Sequence, residues 1–454
     1  MLLAAGYYFY MCWRAEYIIL ILISTCVDFF CAKNIEKNKE NPFLKKIWVA
    51  TSLSINLGIL FTFKYYNFFT TSLSDAFEII NIKVLFPNFD LLLPVGISFY
   101  TFQSVSYTID VYRNSMKAET NFGYFALYVS FFPQLVAGPI ERASHLLPQL
   151  KKENKFDYDL AVSGAKTIAL GFFKKVLIAD RLAVFVNPVF NNPSAYEGFP
   201  ILTAIVFFAI QIYCDFSGYS DIAIGSARIM GFNLMQNFNK PYFASSISDF
   251  WRRWHISLNS WFVDYIYTPI VTAKRDWGLY AILFAIICTF TLSGLWHGAK
   301  WTFVIWGLLH GIALSYDQIS KKQRKKWNKK FPSFIYHPLS IILTFAFVCF
   351  TYIFFRANTL NDTISIISNA TQIELSQIGW YMFQVNVEAI ELKLALIFFA
   401  LLMLLETIEN KFGDLNTYLK KWPFVLRYSF YIAVALSIFL YGHFEKDQFI
   451  YFQF

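Results

Sequence analysis

The chain has 454 residues, of which 57% are hydrophobic, 20% aromatic and only 15% charged, against about 25% charged in an ordinary soluble domain. So few charges cannot keep a soluble surface wet, and the apolar residues arrive in long runs, which excludes a soluble globular class in favour of a membrane one. The formal net charge of +9 does not indicate nucleic acid, because the lysines gather in short loops between apolar runs, where the positive-inside rule reads them as cytoplasmic loop charge.

Taken in chain order, Met1–Trp13 is apolar, with no basic n-region and no small-residue cleavage site. It is read as a membrane segment and not a cleaved signal peptide. The runs Ala15–Cys31 and Ile47–Phe63 flank a basic loop, Lys33–Lys46, which is placed inside; the second run then leads out to Thr71–Asp90, poor in Lys and Arg. Segments 91–110 and 122–138 cannot both be full spans if 140–158 is inside. Pro94, Gly96, Pro133, Gly138 and Pro139 predict broken or re-entrant helices there. Spans near 159–182 and 200–230 leave from the loop Lys151–Lys155 and return to a side carrying Lys240, Arg252 and Arg253. Segments 278–296 and 301–316 are predicted as a hairpin ending at the most basic loop, Lys321–Lys330. Span 338–356 leads outside to an acidic, Ser/Asn-rich stretch, 357–391; 392–408 returns to Lys420–Lys421, and 426–442 leaves the C-terminus outside.

The predicted fold class is therefore all-α, a polytopic helical bundle forming one membrane-embedded domain over 1–454. It has about ten spans at the length the bilayer sets, plus two or three partial ones. Its expected location is the cell (inner) membrane. The six cysteines lie mostly in apolar segments and form no C-x-x-C pair, so neither disulfides nor zinc are expected.

Ionisable groups at membrane depth are costly and mark functional candidates. In Ser293-Gly294-Leu295-Trp296-His297-Gly298-Ala299-Lys300, His297 sits between two apolar runs at a tight turn or helix break, with glycines that permit close approach. A neutral imidazole there can take the proton of an alcohol as the alcohol attacks an acyl carbonyl; burial keeps it neutral. The plainer alternative is a histidine hydrogen-bonded at a helix end. In Asp249-Phe250-Trp251-Arg252-Arg253-Trp254-His255, an interfacial belt accounts for the two tryptophans and two arginines. It accounts less well for His255, at the inner edge of a basic aromatic collar that could line the path of an anionic acyl donor. In Gln211-Ile212-Tyr213-Cys214-Asp215 and on to Asp221, the two carboxylates must face protein or water. Gln211 and Asp215 share a helical face, and hydrogen bonding between helices is the commoner use of such groups. His310, inside an apolar helix, reads as a packing histidine, and His145, His337 and His443 as residues of loop or span ends. No hydrolase elbow, P-loop or dinucleotide fingerprint occurs.

With these clusters in view, the chain resembles the membrane-bound O-acyltransferase family, and within it the bacterial branch of alginate O-acetylases and peptidoglycan O-acetylating proteins. Four motifs carry the resemblance: Leu93–Gln103, Phe132–Ile140, Asp249–Leu258 and Ser293–Gly298. The resemblance implies a funnel-shaped helical fold open to both sides of the membrane, with His297 at the family's catalytic histidine and His255 at a second polar position near the tunnel. Trp296, Arg252, Arg253, Asp215 and Asn259 are taken as substrate contacts. It further implies no bound cofactor, acetyl-CoA or another acyl thioester as donor, and a polysaccharide acceptor such as alginate or peptidoglycan. An extracytoplasmic hydrolase-fold acetyltransferase is the implied partner, beside the lipid bilayer and with no nucleic acid. Family members usually carry an apolar segment ahead of the one resembling Met1–Trp13. Two other readings compete: D-alanyl transfer to teichoic acid, and a proton-coupled carrier using Asp215 and Asp221, for which inverted repeats would be expected and none is visible. A scaffold without chemistry would leave His297 unexplained.

Overall fold

The computed structural model describes residues 1–136, 138–373, 385, 388–413, 415–444 and 449–450, and among these the regular structure is entirely helical. In chain order the helices are α1 Leu2–Met11, α2 Ile18–Lys37, α3 Pro42–Leu60, α4 Tyr66–Ile79, α5 Ile97–Tyr112, α6 Phe122–Val129, α7 Phe132–Leu135, α8 Ala143–Lys151, α9 Tyr158–Lys174, α10 Asp180–Asn191 and α11 Phe199–Ile229. There follow α12 Ile247–Arg253, α13 Ile256–Phe262, α14 Thr268–Ala273, α15 Leu279–His297, α16 Trp301–Lys330, α17 Ser333–Arg356, α18 Leu360–Ala370, α19 Ala389–Phe412, α20 Leu415–Lys420 and α21 Phe424–Tyr441. Much of the Ser/Asn-rich stretch 357–391 (374–384, 386 and 387) and Ala137 of the second motif lie outside the described residues.

Six helical stretches among the described residues are long and apolar enough to cross a membrane: Ala15–Lys37, Pro42–Ile79, Phe199–Ile229, Leu279–His297, Ser333–Arg356 and Phe424–Tyr441. This is fewer than the ten spans expected, for reasons of length and charge. Helix α1 has 10 residues. The segment 159–182 carries Lys174, Lys175, Asp180 and Arg181 and passes through a wide turn at Lys175–Ala179. The run 301–316 is the first half of a 30-residue helix. Lys321–Lys330 is thus the end of α16 and not a loop: Lys, Arg and Gln are good helix formers, and cations suit a helix C-terminus. The broken segments are as the prolines and glycines predict. Helix α5 begins only after Gly96, whose φ of 75° is one that glycine adopts without strain. Pro133 opens the four-residue α7, where its missing N–H costs nothing.

The described chain forms two compact units. The first comprises Met1–Gly164 with Ala223–Gln236. Its apolar core gathers Phe29, Tyr107, Phe125, Tyr128, Phe131 and Phe232. Helices α2, α3 and α5 are also joined by a buried polar network. Asp28 accepts from Ser52 Oγ (2.5 Å) and Asn56 Nδ2 (2.9 Å), and Ser24 Oγ donates to Asn56 Oδ1 (2.6 Å). Such bonds substitute for the hydrophobic drive that helices lack in lipid.

The second unit comprises Ala165–Ile222 with Asn237–Phe454. Helices α15 and α16 form the expected hairpin. A Cβ on Gly294 would strike the Phe303 carbonyl, and one on Gly307 the Phe290 carbonyl. These glycines therefore serve close helix packing, as small residues do in membrane helices. The hairpin sets His297 at the last position of α15. Helices α12 and α13 are short because His255 between them takes φ 44°, a left-handed conformation that no helix continues through.

Candidate active site

Helix α12 buries its aromatic residues and exposes one position. Trp251 and Trp254 are buried, 3% and 2% exposed, while the Arg252 side chain is 72% exposed. The interfacial-belt reading of these tryptophans is thereby corrected: they pack inside protein. Trp251 Nε1–H donates to His310 Nδ1 (3.2 Å), and Trp254 packs on Phe250 and Tyr352, centroids 5.5 and 6.0 Å away. Because an indole only donates, His310 must accept at Nδ1 and carry its proton on Nε2, which lies 3.0 Å from Thr351 Oγ1. Both His310 nitrogens are thus engaged, as a packing histidine requires. Arg253 pairs with Asp249 (3.1 Å), and Arg252 lies 3.6 Å from the same carboxylate.

His255 and His297 come together from distant parts of the chain, with ring centroids 6.4 Å apart. His255 is wholly buried and His297 is 3% exposed. Trp296 is the ring between them, 6.0 Å from His255 and 5.0 Å from His297. The other walls are Phe216 against His255 (4.7 Å), and Trp306 and Phe355 against His297 (5.1 and 5.4 Å). Trp306 is fully buried, and its Nε1–H has no acceptor among the described residues. That leaves a donor beside His297 for a bound group.

The protonation of His255 follows from its neighbours. Asn237 Oδ1 accepts from the Ser257 amide (3.3 Å) and the Ser257 hydroxyl (2.9 Å), while Asn237 Nδ2 donates to Ser220 Oγ (3.3 Å). The amide oxygen is therefore the atom 3.1 Å from His255 Nδ1, so Nδ1 donates and Nε2 holds the lone pair. Burial pushes the His255 imidazole down to about 3, and the ring is neutral at physiological pH. Asn259, one turn into α13, is half-buried, and its amide donates to the His255 carbonyl (3.0 Å).

Asp215 belongs to a different cluster. Its carboxylate lies 2.6 Å from Lys175 Nζ, which also pairs with Asp180 (2.6 Å), and it accepts from the Ile450 amide (2.9 Å). Asp221 pairs with Lys174 (2.7 Å). Lys174 and Lys175 were not read from the sequence as partners of these carboxylates. The signal was present, since two lysines within the span 159–182 must find anions. Asn237 carried no signal, because asparagines in loops are common. Among the described residues no three His, Cys, Asp or Glu side chains are placed to hold a metal ion.

Comparison with known proteins bears on the same residues. A family model, the membrane-bound O-acyltransferase family, matches residues 117–359, which include α12, His255 and His297. The chain is 34% identical to the peptidoglycan O-acetyltransferase of Helicobacter pylori over 393 residues, 81% of this chain and 72% of that protein. It is 37% identical to a probable alginate O-acetylase of Pseudomonas aeruginosa over 364 residues, 79% of this chain and 67% of that protein. To the teichoic acid D-alanyltransferase of Bacillus subtilis it is 31% identical over 283 residues, 59% of this chain and 70% of that protein. An all-α membrane protein that buries two histidines under aromatic rings, and whose relatives at this identity are O-acyl-transferring enzymes, is itself an O-acyltransferase: the chain belongs to the membrane-bound O-acyltransferase family.

Proposed function

We propose that the protein moves an acetyl group from a cytoplasmic thioester, such as acetyl-CoA, through the cell (inner) membrane towards hydroxyls of an extracytoplasmic polysaccharide. The observation that carries this reading is the approach of His297 and His255, centroids 6.4 Å apart. One comes from a hairpin turn and the other from a collar bearing Arg252 and Arg253. His297 is the general base. It takes the hydroxyl proton as the oxygen attacks the thioester carbonyl; the C–S bond then breaks, and the imidazolium returns the proton to the thiolate. His255, held as the Nδ1–H tautomer by Asn237, presents its Nε2 lone pair and orients the reacting group. Trp296 forms the wall shared by the two rings. The exposed Arg252 attracts the anionic donor, and Arg253, held by Asp249, sets the collar's shape. A hydrolase-fold acetyltransferase outside the membrane is the expected partner that completes transfer to polymers such as alginate or peptidoglycan.

The test is vectorial. Vesicles containing purified protein, given acetyl thioester on the face that exposes Arg252, should acetylate an acceptor only on the other face. In a background where the exposed Cys12 is replaced by Ser, Arg252→Cys should react with an impermeant maleimide from the cytoplasm, and Asn361→Cys, exposed in the first turn of α18, only from outside. Reversed labelling would sink the direction assigned. The similarity to a teichoic acid D-alanyltransferase supports D-alanyl as the second reading, and mass spectrometry of the acylated product separates the two.

A further inference from the structure

Trp306 and Trp251 lie in the same aromatic cluster, ring centroids 5.8 Å apart, and both are buried. Their indole N–H groups fare differently. That of Trp251 donates to His310 Nδ1 at 3.2 Å, while that of Trp306 has no acceptor among the described residues. A buried donor left without an acceptor costs ~1–3 kcal/mol. Phenylalanine at position 306 would fill most of the same space without that cost. An indole kept there calls for a hydrogen-bond partner that the protein itself does not supply.

The neighbouring rings explain why no side chain satisfies it. His310, 4.9 Å away, already spends its lone pair on Trp251 and turns its proton towards Thr351 Oγ1 at 3.0 Å. Phe355, 5.1 Å away, offers a ring face and no lone pair. The third neighbour is His297, whose ring stands perpendicular to that of Trp306 (90°) with centroids 5.1 Å apart.

The backbone fixes this separation. Helices α15 and α16 approach most closely where a Cβ on Gly294 would lie 3.1 Å from Gly307 Cα, the kind of contact that small residues give membrane helices. His297 follows Gly294 by three residues, and Trp306 immediately precedes Gly307. The two side chains therefore flank the tightest part of the hairpin. A general base works about 2.6–3.2 Å from the hydroxyl oxygen, and an oxyanion donor about 2.7–3.1 Å from the carbonyl oxygen. Both oxygens share one carbon in the tetrahedral intermediate, so base and donor must stand as near neighbours around it. His297 and Trp306 meet that requirement.

We propose that the Trp306 indole N–H is the oxyanion donor of the transfer reaction, bonding the carbonyl oxygen of the acyl thioester. This rests on the acyl-transfer reading above and adds to it the group that receives the developing charge. As the hydroxyl oxygen bonds to the carbonyl carbon, its proton passes to His297 and the C=O pair moves onto the oxygen held by Trp306. When that pair returns, the C–S bond breaks and the thiolate takes the proton from His297. The indole gives up no proton at any stage. A group that only donates suits an acceptor whose charge grows in the transition state, and within a buried cluster that bond strengthens as the charge appears.

The experiment uses the full chain in vesicles with two donors: acetyl-CoA, and its dithioester analogue with sulfur in place of the carbonyl oxygen. Sulfur is a weak acceptor. Trp306→Phe should lower kcat about 10²–10³-fold with acetyl-CoA, the usual effect of one oxyanion donor, with KM little changed. With the dithioester the variant should match the wild type, whereas damage to packing lowers both reactions alike. Trp306 replaced by 3-benzothienylalanine, which keeps the indole outline and lacks the N–H, should behave as Trp306→Phe does. It remains informative if the phenylalanine variant fails to fold. The rival use of the N–H is a bond to the face of Phe355, which NMR separates. The indole resonance missing from Trp306→Phe should move downfield when acetonyl-CoA binds, its ketone standing in for the thioester carbonyl.

An unmoved resonance, a full kcat in Trp306→Phe, or an equal loss with both donors would each overturn the assignment. All three leave His297-dependent transfer standing. Survival of transfer in His297→Ala strikes the underlying function instead.

Discussion

Two buried polar clusters in the second unit handle the same difficulty in opposite ways. Around α9–α11, Lys174 faces Asp221 at 2.7 Å, and Lys175 faces Asp215 and Asp180 at 2.6 Å each; every charge meets an opposite charge. Between α12, α15 and α16, the buried histidines His255, His297 and His310, 3% exposed or less, are set against Trp296, Trp306, Phe216 and Phe355, and neutral groups such as Asn237 and Thr351 lie within hydrogen-bond distance of His255 and His310. A buried charge pair repays its desolvation through its partner and is then occupied. A neutral imidazole costs little to bury and keeps a lone pair available. The first arrangement suits assembly of the bundle, and the second suits chemistry.

The comparison can be broken most directly at His297. His297→Ala should lower acyl transfer by roughly 10²–10⁴-fold, the usual contribution of a general base, while detergent-phase melting stays near wild type. Near-normal turnover would remove the distinction between the clusters. The charged cluster predicts the converse. Lys175→Leu leaves Asp215 and Asp180 without their cation and should cost about 3 kcal/mol of stability, as broken buried pairs do. The double variant Lys175→Leu/Asp215→Leu should regain part of that loss. Asp215→Asn keeps an acceptor for the Ile450 amide and leaves Lys175 with Asp180, so its loss should be smaller and transfer should persist. A folded but inactive Asp215→Asn would instead support a proton path and the carrier reading.

A finer test concerns the tautomer. Asn237→Leu leaves the donors of His255 and Ser257 without their acceptor, at ~1–3 kcal/mol apiece for buried groups. It should slow transfer about tenfold and allow the His255 ring to rotate, visible as a changed imidazole nitrogen resonance. An unchanged resonance would show that Asn237 does not set the tautomer.

The smallest effect comes from a pair at the edge of the first unit. His145 Nδ1 lies 2.7 Å from Glu141, with the His145 side chain 44% exposed. The hydrogen bond to Glu141 raises the imidazole above its ordinary value, against burial. A folded-state value above the unfolded one adds stability below the unfolded pKa, near 6.5, and that stability is lost as pH rises through the folded value. With this much solvent screening the contribution is under about 1 kcal/mol. Melting temperature should fall slightly from pH 6 towards pH 8, and His145→Gln should flatten that slope. An identical slope in the variant would assign it to other groups.

Membrane residence, all-helical class, broken segments at Pro94–Gly96 and Pro133, and the α15–α16 hairpin were legible in the sequence. Each depends on local rules: run length, charge bias and backbone permissiveness act within a few residues of where they are written. His297 and His255 were legible as residues that lipid exposure could not explain. Their approach, the Asn237 bond that selects one tautomer, and the lysines that claim Asp215 and Asp221 required the tertiary structure. So did the burial of Trp251 and Trp254, which composition alone assigned to the membrane surface. The physical reason is that a hydrophobic pattern records only that a side chain leaves water. Whether it then meets lipid, a counter-charge or another ring depends on contacts between residues tens to hundreds of positions apart, and these exist only once the helices have packed.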